Sequence, residues 1–230
     1  MAAVTTPDFQ ILEQLAEMAR VLGNGHRLQL LTQIAQGERS VERLAQVTGM
    51  AIGNTSQHLQ QLRRGGFVAV RREGKNMLYR LADGPIIEVL SALRHLGESN
   101  NSEIRLLIAD YFHRLDALEP VNRAELSKRL KEGSVVLLDV REEDEYVQGC
   151  IPGAINVPPA SLKRAIDMLP QDREIVAYCR STYCIATFEV VSALREAGYT
   201  ARRLEVGFPE WKAAGLKVAK SKSNELAHSR

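Results

Sequence analysis

Apolar and polar positions alternate at helical spacing through the first part of the chain. One apolar stripe covers residues 9–22 and another covers residues 28–35, and a Gly-Asn-Gly segment separates them. A short helical pattern over 41–47 ends at a Thr-Gly pair and resumes over 52–64. The sequence therefore predicts two helices, followed by a helix, a tight turn and a further helix.

Two runs with strand-like composition come next, at 67–70 and 77–81. The segment between them carries Gly74, where a positive φ is easiest, so the two runs predict a β-hairpin. Pro85 lies where the first turn of another helix would begin, and we expect this helix to end near residue 96. We therefore place the end of a first, mainly α-helical domain, 1–98, at this point.

A further helical stripe connects this region to the rest of the chain. Asn100 and Glu103 are spaced as in a capping box, which predicts that a helix begins there. Its apolar side chains lie on one stripe: Ile104, Leu107, Ile108, Tyr111 and Leu115. We predict a bridging helix within 99–118, whose apolar face is covered either by the C-terminal domain or by a second copy of the chain.

From about residue 119 the pattern changes to short apolar runs that alternate with helical segments. The apolar runs cover residues 135–140, 154–157, 175–179 and 201–206. Runs that are apolar on both faces and separated by helices are typical of a mostly parallel sheet in an α/β domain. We therefore predict a C-terminal α/β domain over 119–219 and a polar, disordered tail over 220–230.

Length and composition agree with two domains. A chain of 230 residues is long for one compact core, and its hydrophobic fraction of 45% is ordinary for globular proteins. No apolar stretch could span a bilayer and no secretory signal is visible, so we expect a cytoplasmic protein without a membrane partner. Cysteines in that compartment do not form a disulfide framework, so each is either buried or chemically active. The three cysteines are Cys150, Cys179 and Cys184.

Cys179 lies where a parallel sheet places reactive groups. It follows the predicted strand and precedes a helix expected from about residue 185, and open α/β sheets bind ligands at the carboxyl ends of their strands. A helix N-terminus lowers the pKa of a nearby thiol, and Arg180 adds a cation. We predict that Cys179 is a nucleophile and that the surrounding amides can hold the anionic outer sulfur of a persulfide.

Four ordered segments together carry a family resemblance: LLDVR at 137–141, GCIPGAINVP at 149–158, YCR at 178–180 and GFPEW at 207–211. With Gly215 they resemble a single-domain rhodanese over about 119–219. The resemblance implies that Cys179 accepts sulfane sulfur from thiosulfate, a persulfide or a polysulfide and passes it to a thiol acceptor, without a cofactor. It also implies a persulfide and substrate loop made of Arg180, Ser181, Thr182, Tyr183 and Cys184. Together with Cys179 the loop has six residues, a length that resembles sulfurtransferases rather than the related phosphatases.

The loop departs from the common family pattern at Thr182 and Cys184. The family often carries glycine at the fourth loop position, here Thr182, and a basic residue or threonine at the sixth, here Cys184, which leaves the donor and the turnover open. Cys184 either attacks a persulfide on Cys179 to form a disulfide, or packs at the start of the helix. Cys150 replaces a common histidine and is predicted to be a small buried residue. Three other motif residues are predicted to be structural: Asp139, Arg141 and Trp211.

Positive charge is concentrated near the predicted hairpin, although the whole chain has a formal charge of only +2. Between residues 63 and 80, six basic residues stand against one acidic residue, Glu73. A helix-turn-helix with a basic hairpin is typical of a winged helix-turn-helix, which binds double-stranded operator DNA through its second helix and its wing. A basic surface on a protein-interaction module is the alternative. The candidate DNA-contacting residues are Asn54, Ser56, Gln57, His58, Arg63, Arg64, Arg71, Arg72 and Lys75.

This region resembles the arsenic-repressor (ArsR) family of dimeric regulators over about residues 10–97. The resemblance is carried by RLQLL at 27–31, LAQVTG at 44–49, SQHL at 56–59, LRRGGFV at 62–68 and REGK at 72–75. It implies a homodimer. Metal-sensing members use cysteines or paired Asp and His ligands, whereas here His95 and Glu98 have only Ala82 and Gly84 at the leading positions, so no metal site is predicted.

Two functions fit the two halves of the chain. In the first, the chain is a DNA-binding transcriptional regulator, a repressor by resemblance, that senses sulfane sulfur or redox state through a persulfide on Cys179. In the second, it is a sulfurtransferase whose winged helix serves for localisation or dimerisation. An interaction-only module would take up no sulfur. The DNA affinity of the reduced, persulfidated and Cys179→Ala forms separates the first two.

Overall fold

The computed structural model describes residues 6–112 and 120–220. It divides the chain into two compact units, Met1–Ile86 and Ile87–Arg230. The later part of the predicted bridging helix, including Leu115, and the predicted tail beyond residue 220 lie outside the described residues. Within the described ranges, no helix combines the length and the hydrophobicity needed to cross a membrane.

The helices of the first unit are α1 (Pro7–Leu22), α2 (Gly25–Ile34), α3 (Val41–Thr48) and α4 (Ile52–Arg64). Side-chain oxygens of Thr6, Asn24 and Ser40 accept amide hydrogens at the starts of α1, α2 and α3. Gly49 ends α3 with a φ of 70°, which lets the chain turn sharply into α4. The predicted helix, turn and helix are confirmed.

Helix α1 differs from the other three because none of its residues is buried. The core of the unit is formed by buried side chains of α2, α3 and α4: Leu30, Leu31, Ile34, Leu44, Leu59 and Leu62. The apolar stripe of α1 is instead exposed, with Phe9, Ile11, Leu12, Leu15 and Met18 between 44% and 60% accessible. An apolar face of this size on a helix needs a partner surface.

The wing is an antiparallel sheet of β1 (Arg39–Ser40), β2 (Val68–Glu73) and β3 (Asn76–Leu81), in the order β1-β3-β2. Gly74 has a φ of 61° and forms the tight turn with Lys75. The predicted hairpin is confirmed, and its strands are longer than the two apolar runs because backbone pairing continues to Glu73 and Asn76. The first unit is a winged helix-turn-helix.

Two helices follow, α5 (Ile86–Asn100) and α6 (Ser102–Tyr111). The predicted start at Asn100 is wrong by one residue: Asn100 ends α5, and Asn101 caps α6. The side-chain oxygen of Asn101 accepts the amide hydrogens of Glu103 at 2.9 Å and Ile104 at 3.1 Å. The apolar side chains of Ile104 and Leu107 are exposed rather than packed within the described part of the chain.

The rest of the second unit alternates strands and helices. Its elements are α7 (Arg123–Glu132), β4 (Val135–Asp139), α8 (Glu143–Tyr146), β5 (Ile155–Asn156), α9 (Leu162–Ala165), β6 (Glu174–Tyr178), α10 (Ile185–Glu196), β7 (Ala201–Arg203) and α11 (Phe208–Ala213). The strands pair in the order β5-β4-β6-β7, and all three pairings are parallel. The predicted α/β domain with a parallel sheet is confirmed.

Both faces of this sheet are buried, because alternate residues of each strand point to opposite sides. On β4, Val136 and Leu138 pack with buried residues of α9 and α10. Val135 and Leu137 pack on the other face with residues of α7, α8 and α11. Two helical layers therefore fix β4 and β6, and with them the loop that leaves the carboxyl end of β6.

Candidate functional site

The loop from Cys179 to Cys184 joins the carboxyl end of β6 to the first turn of α10, as predicted. Cys179 is buried and Cys184 is the half-buried N-cap residue of the helix. The structure pairs the two sulfur atoms as a disulfide, with the Cα atoms 6.2 Å apart, within the usual range for disulfides. Cys184 thus meets Cys179 and also packs against the core at the start of the helix.

The loop between the two cysteines carries backbone amides that are not used in its own hydrogen bonding. Among the described residues, the amides of Ser181, Thr182 and Tyr183 donate to no backbone carbonyl. Helix α10 also begins without a side-chain cap. Free amides in a turn at a helix N-terminus form a concave anion site, so this loop is suited to an anionic sulfur atom.

The guanidinium of Arg180 does not face the thiols as a free cation. Its Nε and NH2 donate to the carboxylate of Glu145 at 2.8 Å and 2.5 Å, and the Glu145 side chain is fully buried. Glu145 is fixed in turn by the amide of Glu142, in a capping box at the start of α8. The positive charge predicted from Arg180 is therefore compensated by a buried carboxylate.

Gly207 brings the start of α11 against the backbone of the sulfur loop. A Cβ atom at this position would lie 2.5 Å from the carbonyl oxygen of Arg180 and 2.6 Å from the amide nitrogen of Ser181. The next amide, of Phe208, donates to the carbonyl of Cys179 at 3.0 Å. Only glycine permits this approach, so the motif glycine shapes the loop directly.

The motif residues that we predict to be structural lie in a buried network beside the loop. Arg141 and Asp139 form an ion pair with no exposed side-chain surface. The hydroxyl of Tyr178 donates to Asp139 at 2.5 Å and accepts the amide hydrogen of Ile151 at 3.0 Å. Trp211 is buried and donates from its indole nitrogen to the carbonyl of Lys217 at 2.9 Å. The contacts of Asp139, Arg141 and Tyr178 connect the ends of β4 and β6.

Cys150 is separate from this site. It is 2% exposed, and its thiol donates to the carbonyl of Ala219 at 3.6 Å. Burial raises the pKa of the Cys150 thiol, with a smaller contribution from Asp139, so the thiol remains protonated and unreactive near neutral pH. Its predicted character as a small buried residue agrees with these contacts.

Tyr183 connects the sulfur loop to the helices that precede it. Its hydroxyl donates to Glu98 in the last turn of α5 at 2.8 Å. Its ring lies 5.0 Å from the ring of Phe112, just after α6, and Phe112 lies equally close to Phe188 of α10. Burial, followed by the contact with Glu98, raises the pKa of Tyr183 to about 12. The residue next to Cys184 therefore touches both helical segments.

The candidate base-contacting residues lie on the first half of α4. Asn54 and Gln57 are exposed and Ser56 is half-buried. His58 is half-buried, with its ring 5.6 Å from that of His26, and burial lowers its pKa. The described residues provide no hydrogen-bond partner for its Nδ1. His58 thus contacts the protein interior through one side of its ring.

The basic candidates are distributed over the end of α4 and the wing. Arg63 and Arg64 are exposed in the last turn of α4. Arg71 donates to Glu38 at 2.9 Å and to Glu73 at 2.8 Å, so part of its charge is compensated. Two more candidates lie at the tip: Arg72, which donates to the carbonyl of Gly74, and the exposed Lys75.

Sequence comparison identifies both units. Residues 24–70 match the family described as "Bacterial regulatory protein, arsR family", and residues 122–214 match "Rhodanese-like domain". The HTH-type transcriptional regulator Rv0324 of Mycobacterium tuberculosis is 39% identical over 218 residues, which cover 95% of this chain and 96% of that protein. The chain belongs to the same family as this HTH-type regulator. It is a transcriptional regulator with an ArsR-type helix-turn-helix and a rhodanese-like domain.

Each half of the regulator also has separate relatives. A protein named sulfurtransferase from Allochromatium vinosum is 31% identical over 100 residues, which cover 43% of the regulator and 92% of that protein. A solution structure of a homodimeric winged helix-turn-helix DNA-binding domain from Mycobacterium bovis is 36% identical. It covers 45% of the regulator and 95% of the other chain, with a TM-score of 0.40.

The contacts of three residues around the loop are not predicted from the sequence. Glu145 pairs with Arg180, Glu98 accepts from Tyr183, and Gly207 lies against the loop backbone. Glu145 carries only a local signal, the capping box with Glu142, which says nothing of Arg180. Glu98 suggests a fragment of a metal site, yet it accepts a hydrogen bond from Tyr183 instead. Within the described residues, no three His, Cys, Asp or Glu side chains group as metal ligands would.

Proposed function

We propose that the regulator responds to sulfane sulfur by forming a persulfide on Cys179 and then a Cys179–Cys184 disulfide. The observation that carries this proposal is the pairing of the two sulfurs across one loop at a helix N-terminus. A loop built only for sulfur transfer needs one cysteine. A second cysteine in bonding contact gives the persulfide an internal acceptor.

The chemistry needs no oxidant other than the sulfur donor. The Cys179 thiolate attacks the outer sulfur of a persulfide, and the donor leaves as a thiolate. The Cys184 thiolate then attacks the Sγ atom of Cys179, a new S–S bond forms, and the outer sulfur departs as hydrosulfide. The two electrons lost by the cysteine sulfurs reduce the sulfane sulfur. Free amides of the loop stabilise the anionic sulfur at each stage.

Contacts of Tyr183 provide a route from this chemistry to the helices. Closing or opening the bond at Cys184 changes the position of its neighbour Tyr183. The hydrogen bond to Glu98 and the ring contact with Phe112 respond to that position. Two loop states thus favour two arrangements of the α5–α6 segment, which is the differential contact that allosteric coupling requires.

The DNA-binding unit acts as a homodimer on operator DNA in this proposal. The exposed polar residues of α4 suit base edges, and the basic residues of α4 and the wing suit phosphates. The exposed apolar stripe of α1 supports a dimer because a second copy can bury it. A regulator of this kind acts in the cytoplasm, where its operator lies.

The test is a gel-shift titration of the operator with four forms of the full chain: reduced, persulfidated, disulfide-bonded and Cys179→Ala. We expect the operator affinity to differ between the reduced and disulfide forms by about 5- to 150-fold, the usual range of allosteric coupling. Cys179→Ala should keep one affinity whatever the donor treatment. Cys184→Ser should accumulate the persulfide, seen as a gain of one sulfur atom in the mass. Equal affinities in all four forms would exclude sensing.

A sulfurtransferase function is the second candidate, favoured by the likeness to the Allochromatium vinosum protein. It predicts many turnovers of sulfur from donor to thiol without an effect on DNA binding. The disulfide opposes this because it removes Cys179 after each cycle. Multiple turnovers by the wild-type chain at a constant operator affinity would favour the enzyme over the sensor.

A further inference from the structure

A cleft of about 550 Å³ lies beside the sulfur loop, within the second unit. One wall is a face of α5, from Ile87 to Glu98, and the opposite wall includes the segment from Glu205 to Ala214. Thr182 and Tyr183 close the side that faces the loop. These two residues stand between Cys179 and Cys184 in the chain, so the cleft adjoins the sulfur loop, although neither cysteine lines it.

The charge of this cleft is negative. Four glutamates line it against two arginines, a formal charge of −2 with His95 neutral: Glu88, Glu98, Glu205, Glu210, Arg94 and Arg123. Arg94 is already engaged, at 3.0 Å from Glu210 and 3.6 Å from Glu98. The cleft therefore attracts cations and repels small dianions.

Glu210 contributes partly uncompensated negative charge to this cleft. Its Oε1 accepts from Arg94, while its Oε2 is buried and meets no hydrogen-bond donor among the described residues. A carboxylate oxygen only accepts hydrogen bonds, and leaving one buried without a donor is costly. The negative charge of Glu210 is therefore only partly compensated, which favours a cation in the cleft.

The loop itself supplies no free cation to counter this field. Arg180 is bound to the buried Glu145. The position that could bring a second basic residue holds Cys184. Thiosulfate, with two negative charges, thus meets a carboxylate-rich entrance.

We infer that the cleft binds the amino group of a low-molecular-weight aminothiol, and that the sulfur donor is the persulfide of such a thiol rather than thiosulfate. This inference rests on the proposed function of Cys179. The Cys179 thiolate attacks the outer sulfur of the donor R–S–SH, the donor S–S bond breaks, and R–S⁻ leaves. The proton stays on the transferred sulfur, so Cys179 becomes the hydropersulfide.

The experiment compares four donors with the reduced full chain: the persulfides of cysteamine, cysteine and 3-mercaptopropionate, and thiosulfate. The rate of one-sulfur mass gain on Cys179 is divided by the rate of the same donor with a free cysteine-containing peptide, which removes differences in the leaving thiol. We expect the two amine-bearing persulfides to react about 10-fold faster than the other two donors on this normalised scale. Equal normalised rates for all four donors would overturn the inference.

Charge-reversal variants test whether the cleft is the cause. Glu205→Lys and Glu88→Lys change exposed glutamates of the cleft, and Glu189→Lys makes the same change on α10 outside it. We expect each cleft variant to slow the cysteamine persulfide about 3- to 10-fold and to speed thiosulfate, whereas Glu189→Lys leaves both rates unchanged. A preference that persists in both cleft variants would overturn the inference.

The outcomes separate this inference from the proposed function. Uptake of sulfur with no preference for an amine leaves the sensor proposal standing and removes only the assignment of the cleft. Absence of uptake from every donor contradicts the function itself.

Discussion

Gly207 shows how much the sulfur loop depends on a single missing side chain. The three nearest atoms to an added Cβ, in Arg180 and Ser181, all belong to the backbone, so none can move without the loop. We expect Gly207→Ala to lower the free energy of unfolding by about 1–3 kcal/mol, as overpacking does. Sulfur uptake by Cys179 should slow by about 10- to 100-fold because the loop is displaced. Urea unfolding and mass spectrometry measure the two effects.

Gly25→Ala is the matched control. An added Cβ at Gly25 meets no atom within 4 Å, so unfolding should change by no more than about 0.5 kcal/mol and uptake should not change. Normal uptake in Gly207→Ala would show that the loop tolerates a displaced backbone.

The sequence predicts single residues well where the signal is local. Cys179 is placed correctly at a strand end because the strand and the helix around it are adjacent in the chain. The pairing of Arg180 with Glu145 is not predicted, since the two residues are separated by 35 positions and only the folded sheet brings them together. The sequence therefore does not show that the charge of Arg180 beside the thiols is compensated.

Helix α5 and the sulfur loop are joined by the hydrogen bond from Tyr183 to Glu98. A pH titration of Tyr183 tests whether this contact forms in solution. The folded-state pKa of Tyr183, about 12, lies above the ordinary value of 10. Its contribution to stability is therefore complete below pH 10 and is lost as the pH rises from 10 through about 12. The difference in tyrosinate absorbance between wild type and Tyr183→Phe should titrate near pH 12. A midpoint near 10 would show that the contact is absent in solution.

The basic residues of the wing differ in how far their charge is compensated, so their contributions to DNA binding can be tested separately. Arg71 is paired with two glutamates, whereas Lys75 is exposed at the turn. We expect Lys75→Ala to weaken binding to all DNA sequences similarly and to reduce the slope of log affinity against log salt by about 1. Lys128→Ala, an exposed lysine on α7, is the control and should leave the slope unchanged. An unchanged slope in Lys75→Ala would remove the tip of the wing from the interface.

Elements are predicted to the extent that their ends carry chemical signals. Helices with polar caps, such as α2 and α3, are found where the sequence places them. The start of α6 is misplaced because two asparagines stand side by side and only geometry shows which one caps. The strands β5 and β7 are shorter than their apolar runs, although single backbone hydrogen bonds continue beyond them, from Val157 to Asp139 and from Leu204 to Ala177.

On the scale of the whole molecule, the unburied apolar face of α1 predicts the oligomeric state. Leu12→Glu with Leu15→Glu places two carboxylates on this face, which should cost about 2 kcal/mol or more of dimerisation energy and yield monomers in sedimentation experiments. The winged helix should remain folded because α1 contributes no buried residue to its core. Gln14→Glu adds a charge to the same exposed helix and should leave the dimer intact. A dimer that survives the double substitution would assign the interface to another surface.

The division of the molecule differs from the boundary at residue 98 that we predict from the sequence. The structural units divide between Ile86 and Ile87, because α5 makes its ion pair and its tyrosine contact with the second unit. A helical stripe shows which side of a helix is apolar, but not which domain it serves. The presence of two domains is thus predicted correctly.

The paired cysteines have a consequence for timing. A persulfide alone disappears when any thiol removes its outer sulfur, so its population falls once the donor is gone. A disulfide within one loop persists after the donor is gone, until a reductant reaches the half-buried Cys184. In the proposed function, the disulfide form of the protein would therefore outlast a brief exposure to the donor, and the cell's thiol reductants would set the time at which the reduced form returns.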